Sequence, residues 1–98
     1  MTVYALAQIA IHDRPRYDRY VAGFFPVLRQ YGGRLLSADE SPTVVEGSWE
    51  YQKAILMAFD DEESFRRWAE SPEYKAISVD REAATTGVVL LLGGVPAR

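Results

Sequence analysis

Three stretches of this chain have the pattern of β-strands that are apolar on both faces: Val3–Ile11, residues 54–59 and residues 86–92. Side chains alternate across a strand, and along the first stretch both alternating sets are apolar except for Gln8. A sheet built from these strands has to be covered on both faces. Because only about two helical segments are available to cover it, we expect a second copy of the chain to cover the rest.

The segments between these strands predict the helices and a further strand. Asp13 can cap a helix that has Pro15 in its first turn, and Gly32-Gly33 can end that helix. Acidic side chains at 60–63 suit the positive end of a second helix. The predicted elements are strands over 3–11, 34–38, 49–59 and 86–92, and helices over 14–31, from residue 60 to before Ser71, and from Pro72 to about 81 or 82.

This order of elements, βαββαβ, is that of a ferredoxin-like α+β fold. Right-handed crossovers give a four-stranded antiparallel sheet with strand order 4-1-3-2. A chain of 98 residues is long enough for one domain, over 1–98, but has a high ratio of surface to volume. We therefore expect a homodimer formed through the sheet face, with residues 93–98 as a frayed tail.

Charge and composition exclude several classes of partner. A net charge of −3 argues against a surface for nucleic acid or for an anionic membrane. No apolar run approaches the roughly 20 residues that a bilayer requires. The start of the chain, residues 1–4, lacks the basic region of a signal peptide, so the expected location is the cytoplasm.

The chain has no cysteine and one histidine. It therefore lacks a thiol nucleophile, a disulfide framework and the histidine clusters of most zinc or iron sites. We expect no metal centre in the protein, and the sequence contains no cofactor motif. Any chemistry would then depend on ordinary side chains.

The predicted topology brings the end of the first strand, the starts of the third and fourth strands and the start of the first helix to one rim of the sheet. The residues expected to meet there are His12, Trp49, Tyr51, Tyr74, Arg81 and Thr85.

His12 is the first candidate for a general acid or base, because the unperturbed pKa of histidine lies near neutrality. An equally simple interpretation is a histidine at a strand end that bonds to nearby backbone. Gln8 lies on the same strand face, four residues earlier, and could orient a ligand carbonyl. It could equally bond to a neighbouring side chain or a buried water.

Arg81 is the candidate anion-binding residue, since a guanidinium can hold a carboxylate with two hydrogen bonds. A salt bridge with one of the many acidic side chains is the alternative. Trp49, Tyr51 and Tyr74 could stack on an aromatic ligand, although aromatic residues at strand starts and helix turns more often belong to a core or an interface.

The chain resembles the domain-of-unknown-function family numbered 1330, within the dimeric α/β barrel superfamily. The resemblance spans nearly the whole chain and implies a ferredoxin-like protomer whose sheet pairs with a second sheet. The stretches that carry it are Ala7-Gln8-Ile9, His12-Asp13, Tyr31-Gly32-Gly33-Arg34, Glu46-Gly47-Ser48-Trp49, Ser71-Pro72-Glu73-Tyr74, and Arg81 with Ala83-Ala84-Thr85. It implies little about chemistry, because relatives elsewhere in the superfamily include cofactor-free monooxygenases, lactone isomerases and haem enzymes.

Two functions fit these observations. The first is a cofactor-free enzyme, similar to an isomerase or monooxygenase, that acts on a small anionic or aromatic metabolite in a cleft between sheet and helices. There His12 would move a proton, Arg81 would bind charge and Gln8 would orient a carbonyl. The second is a non-catalytic dimer that binds a small molecule in the same cleft or has a regulatory role.

Overall fold

The computed structural model describes residues 1–96 of the chain. It contains four strands and three helices within that range. These are β1 (Val3–Ile11), α1 (Arg14–Gln30), β2 (Arg34–Asp39), β3 (Lys53–Phe59), α2 (Glu62–Ala69), α3 (Pro72–Ala84) and β4 (Thr85–Gly93).

The four strands form one antiparallel sheet in the order β2-β3-β1-β4, which confirms the predicted topology read from the other edge. β1 is central and pairs along its length with both neighbours: Val3 lies opposite Phe59 in β3 and opposite Gly93 in β4. The ferredoxin-like α+β fold expected from the element order is therefore present.

Alternation along the strands divides the sheet into two faces. Odd-numbered residues of β1 and β3 point to the helices, and this helix-covered face includes Ala5, Met57 and Phe59, all buried. Tyr20, Phe24 and Leu28 of α1 pack against them at spacings of four residues. Phe59 and Leu28 are the largest side chains buried completely, so they mark the centre of the core.

The opposite face, which we call the open face, has no helix on it. It consists of the even-numbered residues of β1 and β3 and their partners in β2 and β4. In β4, Val88, Leu90 and Leu92 belong to this face, because they lie opposite Gln8, Leu6 and Tyr4. Each of the three remains 40–45% exposed in the protomer. The open face is thus an apolar surface that none of the three helices covers.

Local signals in the sequence account for how α1 begins and ends. The Oδ1 atom of Asp13 accepts a hydrogen bond from the backbone N–H of Arg16 (3.3 Å), and Pro15 occupies the first turn. After the helix, Gly32 adopts a φ of 77°, a conformation that few residues other than glycine adopt readily. The predicted helix over 14–31 is one residue too long, because Tyr31 is its C-cap.

The third strand begins at Lys53 rather than at Trp49 as predicted. The backbone N–H of Gln52 still donates to the carbonyl oxygen of Ile9 (2.8 Å), but the Gln52 side chain accepts the bond from the N–H of Ile11. The side chain of Gln52 thus bonds to Ile11 in place of a backbone carbonyl of the third strand, and the regular β1–β3 pairing ends there. The segment 40–52, expected to be extended at 43–46, contains no strand.

Three other boundaries differ by a few residues. α3 continues through Ala84, beyond the predicted end at residue 81 or 82. The cap of α2 is Asp61, whose Oδ1 accepts from the N–H of Ser64 (2.7 Å), and not Asp60. Gly93, predicted to be in the tail, lies in β4, and the N–H of Gly94 donates to the carbonyl of Thr2 (2.9 Å). Residues 97 and 98 of the predicted tail lie outside the described residues.

Among residues 1–96, no helix is both long and apolar enough to cross a bilayer.

Candidate functional site

A cavity of about 400 Å³ lies between the helices and the helix-covered face of the sheet. We call it the helix–sheet cavity. Its floor includes Ile9, Ile55 and Met57, on the odd-numbered positions of β1 and β3. A volume of this size is typical of pockets that hold small organic molecules.

Aromatic side chains from all three helices form the wall of the helix–sheet cavity. Trp68 of α2 is in contact with Tyr74 of α3, with ring centroids 4.1 Å apart, and lies edge to face with Phe24 of α1 at 6.1 Å. Tilted and edge-to-face pairs of this kind are the arrangements that aromatic rings prefer. The full aromatic wall is Tyr17, Tyr20, Phe24, Phe65, Trp68 and Tyr74.

Ser71 joins two parts of this wall. It is buried between α2 and α3, where its Oγ donates to the carbonyl oxygen of Trp68 (2.8 Å) and accepts from the backbone N–H of Tyr74 (3.0 Å). Ser71 also caps α3, with Pro72 in the first turn of the helix. The sequence Ser71-Pro72 therefore ends one helix, starts the next and fixes the Trp68–Tyr74 contact.

Two phenol groups share a hydrogen bond in the cavity wall. The hydroxyl oxygens of Tyr20 and Tyr74 are 3.0 Å apart. Burial raises the pKa of Tyr20 well above its ordinary value, and the neighbouring Tyr74 raises that pKa further. Tyr20 therefore stays a neutral phenol at physiological pH, suited to donating a hydrogen bond rather than to removing a proton.

Two nitrogen atoms of cavity-lining residues have no hydrogen-bond partner within residues 1–96. They are Nε1 of Trp68 and Nε of Arg81, and both atoms are buried. A buried donor without a partner costs about 1–3 kcal/mol. Arg81 has one ion-pair contact, to Glu82, at a long 3.9 Å. Both donors belong to residues that line the cavity.

The charged side chains that line the helix–sheet cavity are mostly cationic. Lys53, Lys75 and Arg81 face a single carboxylate, Glu82, among the lining residues. The cavity thus carries a net charge of about +2 in a chain whose net charge is −3. This separation of charge favours an anionic occupant.

The structure brings two of the predicted site residues into the cavity, Tyr74 and Arg81. Thr85 lies beside them but outside the lining: it is buried, and its hydroxyl donates to the carbonyl oxygen of Arg81 (2.8 Å). His12 is exposed at the end of β1, where its backbone N–H donates to the carbonyl oxygen of Ala84 (2.9 Å). It does not line the cavity.

The other predicted residues lie away from the helix–sheet cavity. Gln8 is on the open face, and its Oε1 accepts from Nε1 of Trp49 (2.8 Å). Trp49 stacks edge to face with Tyr51 at 6.1 Å, and both line a shallow hollow beside segment 40–52. The predicted convergence on one cleft is wrong for this group. Because Gln8 and His12 occupy even positions, they cannot share a face with Ile9.

The lining residues that sequence reasoning missed include Tyr17, Tyr20, Lys53 and Trp68. The three aromatic residues follow the apolar stripes of α1 and α2, a pattern that indicates core residues. The position of Lys53 could have been predicted from the sequence. Lys53, Ile55 and Met57 are alternate residues of one strand, so the lysine lies on the same buried face as the two apolar residues.

In the part of the chain that the structure describes, no group of three or more His, Asp or Glu side chains is placed to hold a metal ion.

Comparisons with known proteins give a family and a fold. The model of the domain of unknown function DUF1330 matches residues 2–95. A comparison with curated protein sequences finds no significant match. Among solved structures, the RPA0582 protein of unknown function from Rhodopseudomonas palustris is 14% identical with a TM-score of 0.82, over 98% of this chain and 84% of that one.

Two further structures are similar over nearly their whole length. SnoaB, a cofactor-independent oxygenase from Streptomyces nogalater, is 12% identical with a TM-score of 0.68, over 98% of this chain and 95% of that one. A dimeric ferredoxin-like protein of unknown function from Thermobifida fusca is 14% identical with a TM-score of 0.60, over 94% and 90%. At these identities the similarity establishes the ferredoxin-like fold.

Proposed function

The chain belongs to the family described as domain of unknown function DUF1330, and on that premise we propose that its helix–sheet cavity binds a small aromatic molecule that carries an anionic or carbonyl oxygen. The observation that carries this proposal is the pair of buried donors without partners, Nε of Arg81 and Nε1 of Trp68. A ligand oxygen that bonds to either nitrogen would satisfy a donor that the protein leaves unpaired.

The remaining lining supports the same class of ligand. Six aromatic side chains offer faces and edges to a flat ring, and the sheet floor of Ile9, Ile55 and Met57 is apolar. The excess of positive charge in the cavity favours a carboxylate, phenolate or enolate over a cation. An aromatic acid or a hydroxylated aromatic ketone combines these properties.

We further propose that the protein acts on this ligand as an enzyme without a cofactor. Tyr20 stays neutral because burial raises its pKa, and it shares a hydrogen bond with Tyr74. In this pair one hydroxyl donates to the other, which leaves one O–H to donate to an oxygen that gains negative charge during a reaction. A structural neighbour of the same fold is a cofactor-independent oxygenase, which fits this proposal without establishing it. The alternative is a dimer that binds the same ligand and leaves it unchanged.

The proposed assembly is a homodimer in which the open faces of two protomers cover each other. Val88, Leu90 and Leu92 leave a large apolar surface that a partner would bury. A neighbour of the same fold is described as dimeric. The cytoplasmic location and the absence of nucleic-acid and membrane partners stay predictions.

Isothermal titration calorimetry with 2-naphthoate tests the proposed ligand class. We expect saturable binding to the wild type, and weakening of about tenfold in Arg81→Met, because one charged hydrogen bond of roughly 1.4 kcal/mol is lost. Arg67→Gln is the matched control, since Arg67 is exposed on α2 and outside the cavity. Absence of binding to the wild type, or equal loss in both variants, would contradict the proposal.

A turnover assay distinguishes an enzyme from a dimer that only binds the ligand. Wild type incubated in air with an anthrone or a naphthol, followed by mass spectrometry, should show a product at a higher rate than Tyr20→Phe, which keeps the ring and removes the donor. An unchanged compound that nevertheless binds would favour the non-catalytic dimer.

A further inference from the structure

Lys53 is one of two lysines in a chain with nine arginines, and both lysines line the helix–sheet cavity. It is the first residue of β3 and lies opposite Ile9 of β1, on the face that the helices cover. Its relative exposure is only 8%, which is rare for a lysine. The long side chain of a lysine can be buried while its ammonium group stays accessible.

The ammonium group of Lys53 has one ion-pair contact, to Glu40, but no hydrogen-bonded anionic partner. Nζ lies 4.9 Å from the centroid of the Tyr17 ring. This is a cation–π contact with one residue of the aromatic wall. The carboxylate oxygen of Glu40 is 3.9 Å away, beyond hydrogen-bond distance. Within residues 1–96, the ammonium group has no hydrogen bond to a side chain or the backbone.

Glu40 is drawn away from Lys53 by a second cation. Arg14 of α1 donates to both carboxylate oxygens of Glu40, at 2.6 and 3.2 Å. This bidentate pair lowers the pKa of Glu40 below its ordinary value, so the carboxylate stays charged and stays with Arg14. Segment 40–52 thus places the Glu40 carboxylate near Lys53, but this carboxylate is hydrogen-bonded to Arg14 and not to Lys53.

We propose that Lys53 is a second anion-binding residue of the helix–sheet cavity, which selects a carboxylate over a neutral carbonyl, and that the Arg14–Glu40 pair keeps its ammonium group available. This inference rests on the proposed function, because it assigns a charge preference to the same cavity. It also narrows the substrate class. An aromatic carboxylate would bond to Lys53 in addition to Arg81, while a neutral aromatic ketone would depend on Arg81 and Trp68.

The test compares 2-naphthoate with 2-naphthamide, which differ in charge and hardly in shape. By calorimetry, the wild type should bind the carboxylate more tightly than the amide. Lys53→Met, which keeps the length of the side chain, should lose about tenfold in affinity for the carboxylate and bind the amide unchanged, since one charge-assisted bond is missing. Arg67→Met is the matched control, because Arg67 is exposed on α2 and lies outside the cavity lining.

Two further variants keep Lys53 and replace the charged residues beside it. Glu40→Gln should raise the affinity for 2-naphthoate, because the competing carboxylate is gone. Arg14→Gln should lower it, because the freed Glu40 can turn to Lys53. These opposite shifts do not require a folded Lys53→Met protein. With only two lysines in the chain, the ammonium resonance of Lys53 can also be followed in the wild type by NMR, with Lys75 as internal reference.

The outcomes separate the two proposals. If the carboxylate preference is the same in wild type and Lys53→Met, or if Glu40→Gln and Arg14→Gln shift the affinity in the same direction, the role of Lys53 is wrong while the cavity proposal stands. If the wild type binds neither compound, the proposed function fails, and the role of Lys53 fails with it. Loss of the preference together with opposite shifts supports both.

Discussion

The two faces of the sheet are built from the same four strands, yet they are covered in different ways. On the helix-covered face, Phe59 and Met57 are buried by the helices of the same chain. On the open face, Leu90 and Leu92 are 45% and 42% exposed. Both faces are apolar, so hydrophobicity alone does not distinguish them. The difference shows that strands apolar on both faces have to be covered on each face separately. Helices of the same chain cover one face, and the other needs a surface from outside the protomer.

Truncating the core of the helix-covered face should give the largest effect. Phe59→Ala removes a completely buried ring that contacts Phe65 and Trp68, with centroids 5.5 and 5.4 Å from its own. We expect the free energy of unfolding to fall by about 3–5 kcal/mol, measured by urea denaturation. Val45→Ala, at a position that is 94% exposed, is the control. Similar small losses in both would mean that the helices do not form a tight core on this face.

A charge on the open face should abolish the proposed dimer and leave the protomer folded. Leu90→Glu places a carboxylate opposite Leu6, midway along the edge strand β4 of that face. We expect dimerisation to weaken at least about 100-fold, because an unpaired charge would be buried. Sedimentation velocity measures the assembly state, and circular dichroism checks the fold. Val79→Glu, on the exposed side of α3, should not change it. An unaltered dimer in Leu90→Glu would place the interface elsewhere.

A smaller effect is expected from the hydroxyl that links the cavity wall. Ser71→Ala removes the bonds to the carbonyl of Trp68 and from the N–H of Tyr74. The unfolding free energy should fall by about 1–2 kcal/mol, the usual effect of a lost helix cap. Ser48→Ala, in the exposed segment 40–52, provides the control. Dimerisation should be the same in both variants, because neither residue belongs to the open face.

The smallest effect concerns pH and the outer surface of the helix layer. The hydrogen bond from Arg16 lowers the pKa of Asp80 below its ordinary value, and Arg19 lowers it further. A carboxyl group with a lowered folded-state pKa stabilises the protein above its unfolded-state pKa, and this contribution is lost as the pH falls through the folded-state pKa.

Thermal denaturation between neutral pH and about pH 2 should therefore show a shallower acid dependence for Asp80→Asn than for the wild type. Parallel curves for the two proteins would show that the Asp80 pair does not contribute to stability.

The sequence was sufficient to predict the strand order and the main boundaries, because these depend on local signals and on alternation. β1 was predicted from a run of nine residues that are all apolar except Gln8. Asp13 caps the next helix as expected. The segment 40–52 was not predictable, because Gln52 ends the β1–β3 pairing through its side chain, a contact over 41 residues of sequence. Such long-range bonds have no periodic signature.

The site was only partly predictable for a related reason. Arg81 and Tyr74 were found because the topology places α3 over the sheet. Gln8 was assigned to the wrong cleft, although the parity that it shares with Leu6 and Ala10 already separates it from Ile9. Trp68 and Tyr20 could not be recognised as more than core residues, because only the folded structure reveals an unpaired buried nitrogen or a shared phenol bond.

The position of β1 in the centre of the sheet sets a constraint on biogenesis. The register of β1 joins Val3 to Phe59 on one side and to Gly93 on the other. The central strand therefore depends on partners that are far apart in sequence, which gives a fold of high contact order that forms slowly. Until β4 pairs with it, one edge of an apolar strand is exposed, and partly folded chains are prone to aggregate through that edge.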